Sequence, residues 1–467
     1  MKRVFFTLMA LVSSLVTLQA QPGGSGGSGG SSGGGTSTDA PDGAYYVLSD
    51  GSTVTKTGET LSTSTSDYNV VQVTSGTLNL NTCVLTKTGD TSRTDGDATS
   101  FYGTNSAVYA GGSNAVVNIT DCTVTTNSKG SNAVFSYNGA TINIDGITID
   151  NTSSVSRGLH CTYGGAIIAS NVDITTRSET SSTIATDRGG GTVSVTGGTA
   201  TAKGNNSAVL YSTGTITATN LTGVSEQGEI AVVEGDNGVV ITDCTMTSGS
   251  SKRALMMLQS GSGDAEGTNA YITVSNSSLN VTGESTPLCE VPTLNNGTLT
   301  LTDVTLSVPS GVLMFVDYNT QWSTYGGYGH LILKTTQGSW GYTGSVDADS
   351  YSHATVEVGN GVTWRGTMDA DNNAASATVT VDDGGTWVLT GNSYVSTLVN
   401  NGTIYTNGYS LSYDTVSGSG SINTDTTGIT SALDTREVVK KYDLQGRPAV
   451  KEASGIVIFN GKTVLKK

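Results

Sequence analysis

The sequence predicts an all-β solenoid, and three observations carry that prediction. A repeat of about 24–25 residues runs from Asn69 to Asp414. Its units open alike, at Ser106-Ala107-Val108, Asn132-Ala133-Val134, Gly158-Leu159, Thr183-Ile184, Ser207-Ala208-Val209, Ile230-Ala231-Val232 and Ala254-Leu255. One such unit cannot bury its own apolar face and must stack on its neighbours. Second, there are only six prolines and none falls between Asp42 and Thr286, so that whole stretch keeps its N–H groups for a strand ladder. Third, the chain is rich in Thr and Val, which suit a pleated, half-buried surface, and only 13% of it is charged. A solenoid grows by adding rungs, so the repeat counts as one unit despite the chain's 467 residues.

The elements follow in order. Residues 1–20 read as an export signal, with Met1-Lys2-Arg3 as the basic start, Val4–Leu18 as the apolar core and Ala20 before the cleavage point. That core is too short to span a bilayer, and no later segment reaches the ~20 apolar residues a spanning helix needs. The expectation is a secreted or outer-surface protein that is not an integral membrane protein. Residues 21–43, mostly Gly and Ser, form a flexible tether. Residues 44–414 are the solenoid with its N-terminal cap. Ala44–Val73, with Tyr45, Tyr46, Val47 and Leu48, is the lead-in expected to cover the first open rung.

About thirteen rungs follow. In each, the opening pair leads through a Gly-containing turn to an alternating run such as Val117-Asn118-Ile119, then a polar corner, then a second run such as Cys122-Thr123-Val124. Asp121, Asn171, Asn220, Asp243, Asn276 and Asp303 occupy the corner, where Asn, Asp and Gly tolerate left-handed backbone geometry. The aligned openings predict one buried column of Val108, Val134, Leu159, Ile184, Val209, Val232 and Leu255. The last rungs, Ser345 to Asp414, are looser, carry Trp364 and Trp387, and are candidates to close the far end. Residues 415–434 read as a linker. Residues 435–467 are charged, lack the period, and form two or three strands with turns at Gln445-Gly446 and Asn460-Gly461, the second a strong hairpin signal.

The two-run, cornered rung resembles the right-handed parallel β-helix, the superfamily that includes pectate lyases and many bacterial adhesins. The resemblance covers about 350 residues and implies fold, since that architecture hosts both enzymes and passive fibres. The tail, Tyr442-Asp443-Leu444-Gln445-Gly446-Arg447 followed by Gly455-Ile456-Val457-Ile458 and Gly461-Lys462-Thr463-Val464-Leu465-Lys466-Lys467, resembles the C-terminal signals of proteins that Bacteroidota export by type IX secretion. That resemblance implies sorting to the cell surface.

Charge and cysteine usage narrow the partners. The formal net charge is −16, and residues 42–414 carry 12 Lys+Arg against 32 Asp+Glu, which repels phosphate backbones and excludes nucleic acid. Cys83, Cys122 and Cys244 share the position just past the corner, where other rungs place Val172, Leu221 or Val304, so they read as core. Cys161 and Cys289 lie in the first strand of their rungs. Cys83 and Cys122 fall on adjacent rungs, because Thr91–Thr104 is an extra segment. Rungs ~4.8 Å apart bring their Cα atoms within disulfide range but leave parallel Cβ atoms too far apart, which favours stacked thiols.

Two rungs carry insertions in the same turn: Gln259–Gly267, which includes Asp264 and Glu266, and Asn319–Gly329, which includes Trp322, Tyr325 and Tyr328. Rung arithmetic places them two steps apart on one edge. Aromatic faces beside carboxylates are what a sugar-binding edge uses, and Asp264 and Glu266 are the calcium candidates. No other cofactor is expected. The competing account is that these are tolerated Gly-rich insertions with solvated charges. Arg188 with Asp187, and Lys252-Arg253 with Glu234 and Asp236, are read as surface salt bridges, and no catalytic residue is assigned. His160, His330 and His353 form no cluster in sequence. The expected function is adhesin-like binding of carbohydrate or host matrix without catalysis. The alternatives are a polysaccharide lyase or glycoside hydrolase, and a structural surface stalk.

Overall fold

A computed structural model describes residues 39–425, apart from a few loop positions, and the backbone of two strands at 455–459 and 462–466. The export signal, the tether except its residues 39–43, and the turns at Gln445-Gly446 and Asn460-Gly461 lie outside the described residues, and Gly43 already belongs to the first strand. The chain is a parallel β-helix. A front sheet of twelve short parallel strands runs from Gly43–Leu48 to Ser345–Ala348. The strands that follow each front strand form a second ladder, fifteen deep, from Thr53–Thr57 to Leu411–Ser417. Many of these strands bend at a corner and continue, as Thr141–Asn151 does around Gly146. A third sheet of five strands, Trp340–Thr343 to Ser421–Asn423, flanks the last rungs. Fifteen rungs at ~4.8 Å make a rod on the order of 70 Å long. Helix among the described residues is confined to Asp97–Ser100, and no helix there is long and apolar enough to cross a membrane.

The corner residues behave as their chemistry requires. Asp121, Asn171, Asn220, Asp243, Asn276 and Asp303 have φ of 51, 56, 53, 55, 49 and 55°, the left-handed conformation that turns the chain between runs. In the rungs from Ser131 to Ser207 the turn before the front strand carries a buried serine ladder that satisfies N–H groups. Ser131 donates its N–H to the Ser156 Oγ at 3.1 Å, Ser156 to Ser181 at 3.0 Å, and Ser181 to Ser207 at 2.9 Å.

The ladder corrects the predicted core column. Ile184 pairs with Leu210, Leu210 with Ala231, and Ala231 with Leu255. The buried column is therefore Val108, Val134, Leu159, Ile184, Leu210, Ala231 and Leu255. Val209 precedes it by one, and Val232 points to the opposite face, because a one-residue slip in a strand exchanges its faces.

The ends differ from expectation as well. The lead-in is itself a rung, since Gly43–Leu48, Thr53–Thr57 and Thr60–Thr63 pair in parallel with the next turn. Trp364 and Trp387 are fully buried core, stacked 5.0 Å apart on adjacent rungs, and their indole N–H groups donate to the Gly344 and Gly366 carbonyls. Pairing continues past Asp414 through Ser421–Asn423. The five cysteines are free and buried, and the Cys83 N–H donates to the Cys122 Sγ at 3.3 Å. Gly455–Phe459 and Lys462–Lys466 pair antiparallel.

Candidate functional site

Alternate residues of the front strands point away from the core and form an outer face. Its central column reads Tyr109, Phe135, His160, Ala185, Tyr211, Val232, Met256, Glu290, Phe315 and Asp347. The first seven are almost entirely buried, which an outward column can be only if something lies on it.

Two insertions form that roof. Residues 91–104 bring Thr99, Ser100 and Phe101 over the N-terminal rungs. Asn132 Nδ2 donates to the Thr99 carbonyl, Arg157 to the Ser100 hydroxyl, and the Thr162 hydroxyl to the Phe101 carbonyl at 2.7 Å. Gly103 passes against Phe135 and Tyr109 at a φ of +73°, where a Cβ would strike both rings. The second roof is the 259–267 loop, whose Glu266 carbonyl accepts from the Asp236 N–H. Beneath it Ala185, Ala208, Tyr211, Val232, Met256 and Leu258 form an apolar cluster separate from the main core. Arg188 joins the two roofs. Its guanidinium pairs with Asp264 at 2.7 Å and Asp97 at 3.4 Å, and lies 3.8 Å over the Phe101 ring.

Ionisable groups lie enclosed under this roof. Asp187 pairs with Arg157 at 3.1 Å, both nearly inaccessible, and burial pushes its carboxyl up to about 7 against the pull of Arg157. Glu234 accepts the Tyr211 hydroxyl at 2.7 Å and is raised by burial. The His160 imidazole is fully buried, edge-on to Phe135 at 4.8 Å, with no partner at Nε2; burial first, and then Arg157, hold it well below the usual histidine range. The surface salt bridges expected between Arg188 and Asp187, and between Lys252-Arg253 and Glu234 with Asp236, are thus corrected. Arg188 pairs with Asp264 and Asp97, and Arg253, 6% exposed, pairs with Glu229 and Glu290. Their burial comes from a roof and from cross-rung contacts that local sequence does not announce.

Beyond Met256 the outer face opens. Phe315 is 36% exposed and Tyr351 65%. Arg253 Nη1 donates to both Glu290 oxygens at 2.9 Å. Asp317 is largely buried and its Oδ1 has no partner. Burial, then the neighbouring Glu290 and Asp349 carboxylates, push it up to about 7, and burial also raises Asp347. Tyr318 and Tyr351 pack with ring centroids 5.2 Å apart, and the Tyr318 N–H donates to Asp349.

The two sequence-predicted loops meet at this open half. The Tyr325 hydroxyl donates to Gln259 Oε1 at 2.9 Å, so the loops two rungs apart touch. Tyr325 and Tyr328 are 41% and 45% exposed, and Tyr328 stacks on His353 at 4.1 Å. Trp322 lies outside the described residues. The calcium candidates separate: Asp264 is 4% exposed and held by Arg188, whereas Glu266 is in solvent. No group of three or more metal-ligating side chains occurs among the described residues. Glu290 and Asp347 escaped the sequence reading, although a charged residue inside an apolar front strand, as in Cys289-Glu290-Val291, marks the outward position. His330 and His353, distant in sequence, sit on adjacent strands, His330 within 3.1 Å of Glu357.

A scan against protein-family models finds no match to this chain, and searches of curated proteins and of solved structures find none that is similar.

Proposed function

We propose that this is an exported, adhesin-like β-helix whose ligand is carbohydrate, bound without catalysis across the open half of the outer face and its aromatic edge. One observation carries the reading. Tyr325 and Tyr328 are exposed yet held, one by Gln259 and the other by stacking on His353, in the stretch that follows the front strand ending at Asp317, whose neighbouring front strands carry Glu290 and Asp347. Immobilised aromatic faces next to hydrogen-bond acceptors cost little further ordering when a sugar ring docks. The export and surface assignment rests on the N-terminal signal-like sequence and the tail motif, and an acidic surface directs the choice toward neutral or basic glycans.

The purified chain on a glycan array should bind a restricted set of glycans, and Tyr325→Ala/Tyr328→Ala should abolish that binding with the melting temperature nearly unchanged, since Tyr325 is in a loop and Tyr328 is an exposed residue at the start of its strand. Unchanged binding by the double variant would place the site elsewhere. Chelation should have no effect, because Asp264 is already engaged by Arg188.

A second reading, glycoside hydrolysis, has one specific support. Asp317, with its carboxyl near 7, is half protonated at neutral pH and could act as a general acid beside Glu290 and Asp349. Release of reducing ends from a bound glycan, lost in Asp317→Asn with binding retained, would favour it over passive binding.

A further inference from the structure

The solenoid's two ends are not alike. At the N-terminal end the first rung's Leu48 and Leu61 are 4% and 3% exposed, and Lys56 lies 4.3 Å over the Tyr46 ring. At the C-terminal end the last rung, Leu411–Ser417 and Ser421–Asn423, pairs on one side only among the described residues. Tyr413, Val416 and Ile422 continue the core columns of Val395, Leu398 and Ile404. Those three predecessors are at most 5% exposed, yet Tyr413, Val416 and Ile422 are 42, 53 and 43% exposed. Among the described residues the core is left open in cross-section, with a row of unpaired backbone groups around it. Such an end is a template for pairing with another strand.

We propose that the chain's own C-terminal tail, residues 426–467, caps this end. Charge supports the assignment. Residues 366–425 carry six aspartates and no Lys or Arg, whereas residues 426–467 carry eight Lys+Arg against four Asp+Glu. A cleft beside the free edge, lined by Asp369, Tyr394, Tyr413 and Asp414, presents that negative charge together with aromatic surface. Connectivity supports it too. The tail follows the last rung directly, and the 29 residues from 426 to 454 can span, at ~3.3 Å each, several times the width of a rung. The tail also supplies a suitable element. Gly455–Phe459 and Lys462–Lys466 form an antiparallel pair, apolar in sequence, whose outer edges can add strands to a sheet. An intramolecular cap has the further advantage of a high effective concentration.

The test uses the full chain. A mixture of natural-abundance and isotope-labelled protein is treated with a carbodiimide, which joins Lys to Asp only in direct contact. Cross-links from Lys462, Lys466 or Lys467 to Asp369, Asp382, Asp383 or Asp414 within one chain are expected. In a full-length Ile456→Asp/Val464→Asp variant those links should disappear, and amide exchange over residues 411–423 should accelerate at least tenfold while Val356 and Val379 stay protected. Links found only between chains, in a dimer, would show that a second copy covers the end and overturn the proposal. Absence of links together with unchanged exchange in the variant would overturn it as well.

Discussion

Val232 and Phe315 stand in one outward column of the front sheet, three rungs apart, yet Val232 is 7% exposed and Phe315 36%. The difference does not come from the strands, which pair in parallel throughout. It comes from what two turns carry. Residues 91–104 and 259–267 fold over the N-terminal half and lock at Arg188, turning half of an outer surface into a second core with charges inside. The C-terminal half has no such roof among the described residues, and its aromatics Phe315, Tyr325, Tyr328 and Tyr351 are exposed. A solenoid can thus partition one repeated face into structural and ligand-accessible regions by insertion alone, without altering a rung.

The comparison breaks first at the roof. Arg188→Ala takes the guanidinium away from the buried Asp264 and removes the link to Asp97, and should cost about 3 kcal/mol. Hydrogen exchange should rise across residues 97–104 and 259–267 while strands 353–358 and 376–381 are unchanged. Equal acceleration everywhere would mean that the roof is not a separate unit. A pair of truncations in the shared column sharpens the contrast. Met256→Ala, under the roof, should cost ~2–4 kcal/mol in denaturant unfolding. Phe315→Ala, the larger truncation but at an open site, should cost about half as much or less.

A smaller effect separates the halves by pH. Asp317 has a carboxyl near 7 in the folded chain and near 3.8 unfolded, so the folded state holds the extra proton between those values. The stability it contributes is fully present below the unfolded value and lost as pH rises through about 7. Asp317→Asn should therefore leave the melting temperature unchanged at pH 4, raise it by a few degrees at pH 8, and flatten the decline between. Asp187 is raised to about 7 as well, so Asp187→Asn should flatten the same decline, but it also takes a carboxylate away from the buried Arg157 and should lower the melting temperature across the range. An unchanged or raised melting temperature in Asp187→Asn would mean that the Arg157 pair is not formed.

Much of this was legible from residue order. The Asn and Asp corners were readable because only a few side chains tolerate φ near 50°. The meeting of the two loops was readable because rung counting measures distance along a solenoid. The column slip at Val209 and Val232 was not, since Ser207-Ala208-Val209 resembles Ser106-Ala107-Val108 while the ladder selects the following residue. Local similarity cannot count the residues spent in a turn. The roof left one sign that went unread: an outward column of Tyr, Phe, His, Ala, Tyr, Val and Met is too apolar to face water.

The sequence alone determined that this chain stacks rungs, because its period, its missing prolines and its left-handed corners each constrain the backbone locally. Only the tertiary structure decided which charges are buried, which aromatics are exposed and where the core is left open. Those outcomes depend on insertions that reach across several rungs, and Arg188, for example, meets Asp97 and Asp264 from 91 and 76 residues away. No local pattern encodes a contact that the number of intervening rungs creates.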